Sequence, residues 1–148
     1  MRAVVQRVSE ASVTIEGREA GRIGRGFLVL LGVHASDEKA DADYMIKKIS
    51  GLRVFEDGNG KMNLPLSEAG GELLIVSQFT LYGDARHGNR PAFIEAALPE
   101  KAIPLYEYVV SSLRERFHVE TGRFGSDMQV SLVNDGPVTI LLDSKKLF

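Results

Sequence analysis

Leu73-Leu74-Ile75-Val76-Ser77-Gln78-Phe79-Thr80-Leu81-Tyr82-Gly83-Asp84 is the stretch around which the chain reads. It opens as a continuous apolar run, the pattern of a strand buried on both faces. It then places three polar side chains, Ser77, Gln78 and Thr80, where the run would still be buried. A buried hydroxyl or carboxamide is costly unless it finds a partner. These residues are therefore either satisfied polar groups of a core or the floor of a pocket. A pocket floor would offer donors to a substrate carbonyl or its developing oxyanion. Read as strand, Gln78 and Thr80 face one way, and Ser77, Phe79 and Leu81 the other. Spacing leaves the two readings even.

Upstream, Phe27-Leu28-Val29-Leu30-Leu31-Gly32-Val33 is a second buried strand, expected to be central. Residues 2–8 alternate as a strand, 12–15 form another β-rich piece, and Glu16-Gly17 turns the chain toward 20–23 as a hairpin. Ser36 is a candidate N-cap for an amphipathic helix carrying Ala42, Met45, Ile46 and Ile49, with Gly51 at its stop. Leu52-Arg53-Val54-Phe55 resumes strand character, Glu56-Asp57-Gly58-Asn59-Gly60 turns, and Lys61-Met62-Asn63-Leu64 pairs back. Downstream, 83–100 reads as a long loop, of the kind that is often functional in a compact domain. A second helix follows, with Pro104 in its first turn and Leu105, Val109 and Leu113 along one stripe. The last third reads strand, turn, strand: Gln129 to Val133, then Asn134-Asp135-Gly136-Pro137, then Val138 to Leu142. The expected fold is α/β: one domain over 1–148, a largely antiparallel sheet or barrel with about two helices.

Composition sets the remaining bounds. At 148 residues the chain can bury a sizeable core, and 44% hydrophobic with 26% charged residues is ordinary for a globular protein. No apolar run approaches the roughly 20 residues of a membrane span. Gln6 and Arg7 stand where a signal peptide would be apolar, so a cytoplasmic protein is expected. With no cysteine, thiol nucleophiles, disulfides and thiolate metal sites are excluded. A net charge of −2 with dispersed basic residues does not describe a protein that coats DNA, but leaves room for contact with one RNA end. Arg86, Arg90 and Arg123 are candidates for such contacts.

His34, His87 and His118 fall in separate elements without metal-ligand spacing. Gly21, Gly24 and Gly26 form no dinucleotide fingerprint. Thr80 could be a nucleophile, but it would need a base, and no His, Lys or carboxylate lies within three residues of it. Gly136-Pro137 admits two readings, a hairpin turn or a rigid backbone element whose carbonyls point into a site.

Ser77-Gln78-Phe79-Thr80-Leu81 and Asn134-Asp135-Gly136-Pro137-Val138-Thr139 resemble the two signature motifs of the D-aminoacyl-tRNA deacylase family. The similarity extends through Met1-Arg2-Ala3-Val4-Val5-Gln6-Arg7-Val8, Ala11-Ser12-Val13, Leu30-Leu31-Gly32-Val33, Gly60-Lys61-Met62-Asn63, Arg90-Pro91-Ala92-Phe93 and Thr121-Gly122-Arg123-Phe124-Gly125. The resemblance implies a homodimeric ester hydrolase that acts on the 3′-terminal adenosine and acceptor end of aminoacyl-tRNA. It would release D-amino acids, and glycine mischarged onto alanine tRNA, without cofactor or metal. It makes Thr80 and Gln78 the candidate catalytic residues and Ser77, Phe79, Phe124 and Met128 the substrate-binding ones. Gly136 and Pro137, joined by a cis bond and given by the partner subunit, would reject L-amino acids, and Arg7 would hold them. It also implies catalysis assisted by the 2′-hydroxyl of the terminal ribose, with Thr80 as nucleophile or as positioning residue. A non-catalytic tRNA-binding module and a small-molecule esterase are the rival readings.

Overall fold

A computed structural model describes residues 1–148. The strands are β1 (Arg2–Ile15), β2 (Arg18–Ile23), β3 (Gly26–Gly32), β4 (Arg53–Glu56), β5 (Met62–Pro65), β6 (Glu72–Ser77), β7 (Val119–Thr121) and β8 (Gln129–Asp143). The helices are α1 (Lys39–Gly51), the single-turn α2 (Leu66–Ala69) and α3 (Pro99–Arg114). Six strands form one sheet in the order β2-β1-β3-β6-β7, with β8 along the other edge of β1. Near Gly21 of β2, a Cβ would lie 3.1 Å from that of Glu120 in β7, so the sheet almost closes on itself. The α/β class, the mainly β content and the barrel-like sheet are as the pattern suggests, with three helices rather than about two. No helix is long and apolar enough to cross a membrane.

The two apolar runs are continuous because each feeds two cores. Phe27, Val29 and Leu31 of β3 and Leu73 and Ile75 of β6 face α1 and α3, where Met45, Ile49, Tyr106, Val109 and Leu113 cover them. Leu28, Leu74 and Val76 point the opposite way, into a second cluster with Val8, Ala11, Val13 and Ile23. A strand buried on both faces cannot alternate polar with apolar residues.

Several local expectations are corrected. Residues 2–15 are one strand rather than two pieces: its first half pairs with β3 and its second with β2. Ser36 does not cap α1; Glu38 does, in a reciprocal capping box with Asp41, while Ser36 bonds His34. Helix α3 begins at Pro99, so Pro104 lies inside it on the exposed side. There the carbonyl that loses its partner can bond water.

The Asn134-Asp135-Gly136-Pro137 hairpin is also overturned. β8 runs antiparallel to β1 on both sides of it, with Thr139 opposite Gln6 and Asn134 opposite Val8. The two halves of β8 therefore pair with β1 and not with each other. Residues 135–138 bulge out opposite Arg7 alone, which re-aims the strand at that point.

The ends of β1 and β8 meet the start of α1. The Met1 amine donates to Asp37 at 2.7 Å and to the Ser144 hydroxyl at 2.6 Å, which in turn donates to Asp41 at 2.6 Å. Lys145 approaches Asp41 at 2.9 Å. Burial pushes the Asp41 carboxyl up, but the bonds from Ser144 and Lys145 and the Glu38 N–H outweigh it and hold the carboxyl well below the usual carboxylate range. A depressed folded-state value stabilises the fold above the unfolded value, and that stability is lost as pH falls through the folded one. Denaturant unfolding at pH 3 to 7 is therefore expected to show stability falling below about pH 4. Asp41→Asn should flatten that dependence and cost about 1–2 kcal/mol at pH 7.

Candidate active site

Parallel pairing of β3 with β6 brings the C-terminal ends of both strands to one edge of the sheet. β6 ends at Ser77, and Phe79–Tyr82 form a 3₁₀ turn laid over the end of β3. The Gln78 N–H donates to the Leu31 carbonyl at 2.8 Å, and the Gly83 N–H to that of Thr80 at 2.9 Å. Gly32 lies beneath the turn, where a Cβ would stand 2.9 Å from the Gln78 carbonyl oxygen. Glycine is what lets the turn approach so closely. The strand facing assumed for residues 77–81 does not hold, because the strand stops one residue into the motif. Phe79 and Thr80 are exposed rather than buried.

Above this edge lies a cavity of about 300 Å³. Ser77, Gln78 and Phe79 form one wall, Ala102 and Tyr106 of α3 a second, and Phe124 and Met128 a third. Ser77 and Gln78 therefore line a cavity rather than sit in a closed core. Tyr106, to which the sequence assigned no functional role, donates from its hydroxyl to the Ile75 carbonyl at 2.8 Å. Its ring lies 6.1 Å from that of Phe124. Burial pushes the Tyr106 hydroxyl up to about 12, so it stays protonated and serves as a fixed donor.

Thr80 adjoins this cavity without lining it. Its hydroxyl accepts a hydrogen bond from the Gln78 carboxamide and contacts no His, Lys or carboxylate. An amide N–H cannot take a proton from a hydroxyl, so nothing in this arrangement activates Thr80 for attack. None of the three histidines lines the cavity. His34 bonds Ser36 at 2.8 Å, and His118 sits 3.6 Å from Glu72 and 3.3 Å from Glu120. No three His, Asp or Glu side chains cluster as metal ligands would.

Gly136 and Pro137 lie elsewhere, exposed in the β8 bulge and joined by a cis bond. Val130 of the same strand lines the cavity. Val130 pairs with Val13 and the bulge faces Arg7, so along β1, at about 3.3 Å per residue, the pair lies roughly 20 Å from Val130. Arg7, only 6% exposed, holds the bulge in shape. Its Nε donates to the Asp135 carbonyl at 2.8 Å and its Nη1 to the Val54 carbonyl at 2.7 Å. Asn134 closes the bulge by accepting from the Val138 N–H at 2.7 Å and donating to Gln6 at 3.0 Å. Asn134 and Gln6 stand in stretches that carry the family resemblance, but the sequence assigned neither of them a role at the bulge. The fold thus gathers Ser77, Gln78, Phe79, Phe124 and Met128 around one cavity and leaves Gly136, Pro137 and Arg7 apart from it.

Residues 4–143 match the family described as D-Tyr-tRNA(Tyr) deacylase. A D-aminoacyl-tRNA deacylase of Symbiobacterium thermophilum is 61% identical over 100% of this chain and 99% of its own length. Another, from Kosmotoga olearia, is 60% identical with full coverage of both. Among solved structures, one described as c-Myc DNA Unwinding Element Binding Protein is 44% identical, with a TM-score of 0.91 over 97% of this chain and 98% of its own. A probable eukaryotic D-amino acid tRNA deacylase, 16% identical, shares the fold with a TM-score of 0.81 over 95% of this chain and 97% of its own.

Removing the Arg7 side chain would leave the buried Val54 carbonyl unpaired and release the part-buried Asp135 carbonyl. Arg7→Ala is expected to cost about 2–3 kcal/mol in denaturant unfolding. Arg7→Lys should recover only part of this, because an ammonium lacks the planar fork that reaches both carbonyls.

Proposed function

This chain belongs to the D-Tyr-tRNA(Tyr) deacylase family, and from that premise we propose that it hydrolyses the ester joining a D-amino acid to the terminal adenosine of tRNA. Free D-amino acid and tRNA are the products, and the cytoplasm, where charged tRNA is used, is the expected setting. The observation that carries the reading is the cavity bounded by Ser77, Gln78 and Phe79 on one side and Phe124 and Met128 on another. It offers a few polar groups in an apolar hollow, the usual form of a small-ligand site. The first N–H groups of a helical turn have no partner within it. Those of Phe79 and Thr80 therefore suit a substrate carbonyl and its developing oxyanion.

Chiral rejection is assigned to Gly136 and Pro137 of a partner subunit. Within one chain they sit too far from the cavity to touch its contents. They are exposed at a bulge held by Arg7 and Asn134, and Val133 and Leu141 on the same strand are half exposed. Inserted into the other subunit's site, their carbonyls would occupy the space into which an L-side chain projects. Collision with fixed backbone discriminates more strongly than attraction in an apolar pocket. Glycine projects no side chain and passes, so glycine on alanine tRNA would be cleared by the same geometry.

The chemical step is assigned to the substrate's own 2′-hydroxyl, which activates or orients the attacking water. The Gln78–Thr80 bond supports this, since it gives Thr80 a positioning partner and no base. Gln78 acts by orienting Thr80 and the ester.

Purified protein offered D-tyrosyl-, L-tyrosyl- and glycyl-tRNA should remove D-tyrosine and glycine at least about 100-fold faster than L-tyrosine. Equal loss of the D and L esters would sink the selector. Thr80→Ala should keep activity within about tenfold, whereas a substrate ending in 2′-deoxyadenosine should lose about 100-fold or more. Trapping of an acyl-Thr80 species would reverse that assignment.

A further inference from the structure

Beside the cavity wall, the ring of Phe79 meets that of Phe93 edge to face, with centroids 5.2 Å apart and planes at 71°. Phe79 is 55% exposed and Phe93 37% exposed, so two aromatic rings stand together in solvent at the rim of the site. Phe93 is held firmly there. Asp84 and Ala92 exchange backbone hydrogen bonds at 2.8 and 2.9 Å, which close residues 84–92 into a loop whose base abuts the 3₁₀ turn. Just beyond Phe93, the Ala35 N–H donates to the Glu95 carbonyl and the Ala97 N–H to that of Val33, both at 2.9 Å, which fastens the chain to the end of β3.

The closed loop carries two guanidiniums in different states. Arg86 is spent on Asp84, with bonds of 2.9 and 2.7 Å to the two carboxylate oxygens. Arg90, exposed and one residue before Pro91, makes no ion pair or hydrogen bond. An exposed aromatic pair with a free cation nearby fits the chemistry of a single-stranded nucleic acid, where a base stacks on a ring and the backbone supplies the phosphate. An apolar protein surface would satisfy the rings and leave Arg90 without a partner. The strip is also continuous with the cavity wall, because Phe79 belongs to both.

We propose that Phe93, backed by Phe79, is the stacking platform for the unpaired base that precedes the esterified adenosine, and that Arg90 contacts the phosphate of the same strand. The proposal rests on the deacylase reading above. It assigns binding of the RNA strand to residues outside the cavity, and it makes affinity for the tRNA end separable from handling of the ester.

The test compares kcat/KM for D-tyrosyl-tRNA with that for the D-tyrosyl ester of adenosine alone. Phe93→Leu keeps an apolar side chain but removes the flat face. It should lower the tRNA-to-adenosine ratio about tenfold, while Phe93→Tyr holds it near the wild-type value. Arg90→Gln should reduce the slope of log kcat/KM against log salt by about 0.7 on the tRNA substrate. A direct readout places 2-aminopurine next to the terminal adenosine of an amide-linked, non-hydrolysable D-tyrosyl minihelix. Its fluorescence should be quenched on binding the wild type and not Phe93→Leu. An unchanged ratio with equal quenching, or equal losses on both esters, overturns the platform. Dissociation of the Phe93→Leu protein in sedimentation overturns it as well and makes the strip a subunit contact. A wild-type protein that cleaves neither ester removes the deacylase reading itself.

Discussion

Two strands with no polar face must be covered on both sides, and the rest of the molecule follows from that constraint. β3 and β6 satisfy it by lying side by side and parallel, with α1 and α3 over one face and the second apolar cluster against the other. Parallel neighbours end at the same edge of a sheet, so chain leaving one strand there finds the end carbonyls of the other within hydrogen-bond reach. The 3₁₀ turn at Phe79–Tyr82 is held in that way, by the Gln78 N–H on the Leu31 carbonyl. Gly32 makes room for it. The cavity is the space left where the β6 edge, the first turns of α3 and the segment leading into β8 fail to close.

The second structural device is the interruption of β8. A bulge of four residues opposite a single residue of β1 would be loose if its backbone were left to water. Arg7 enters from the facing strand, almost fully buried, and gives its guanidinium to carbonyls on two separate elements. The rigidity of the Gly136-Pro137 tip is thus inherited from the core of the barrel. The selector proposed for this tip would discriminate by collision, which calls for a stiff backbone, and the Arg7 bonds suit that need. The tip and the cavity are both well formed yet distant within one chain, so the selector proposed above needs a second copy to bring them together.

Chemically, the cavity is better equipped to position than to react. Its polar groups are amides, hydroxyls and one exposed carboxylate, Asp127. Thr80, the candidate nucleophile beside the cavity, is engaged by a carboxamide. In the mechanism proposed above, rate enhancement would come from holding the ester and stabilising the oxyanion, with the proton-transferring group brought by the substrate.

Much of this was legible in the order of residues. Continuous apolar runs at 27–33 and 73–76 required two covered faces, and periodicity marked α1 and α3. Two short motifs stood out because polar residues in a buried run and proline in a strand are each costly without a reason, but only the family resemblance assigned them to a wall and a tip. What the order of residues could not supply was decided by distance in space. The change from strand to 3₁₀ turn after Ser77 depends on the Leu31 carbonyl, 47 residues away in the numbering. The bulge looked like a hairpin because Asn-Asp-Gly-Pro favours a turn in either setting, and only pairing with β1 on both sides decides between them. Ser36 looked like a cap, but the cap position passed to Glu38 once Asp41 could answer it and Ser36 was drawn to His34. Local chemistry states what a residue can do; the tertiary structure decides which partner is near enough for it to do so.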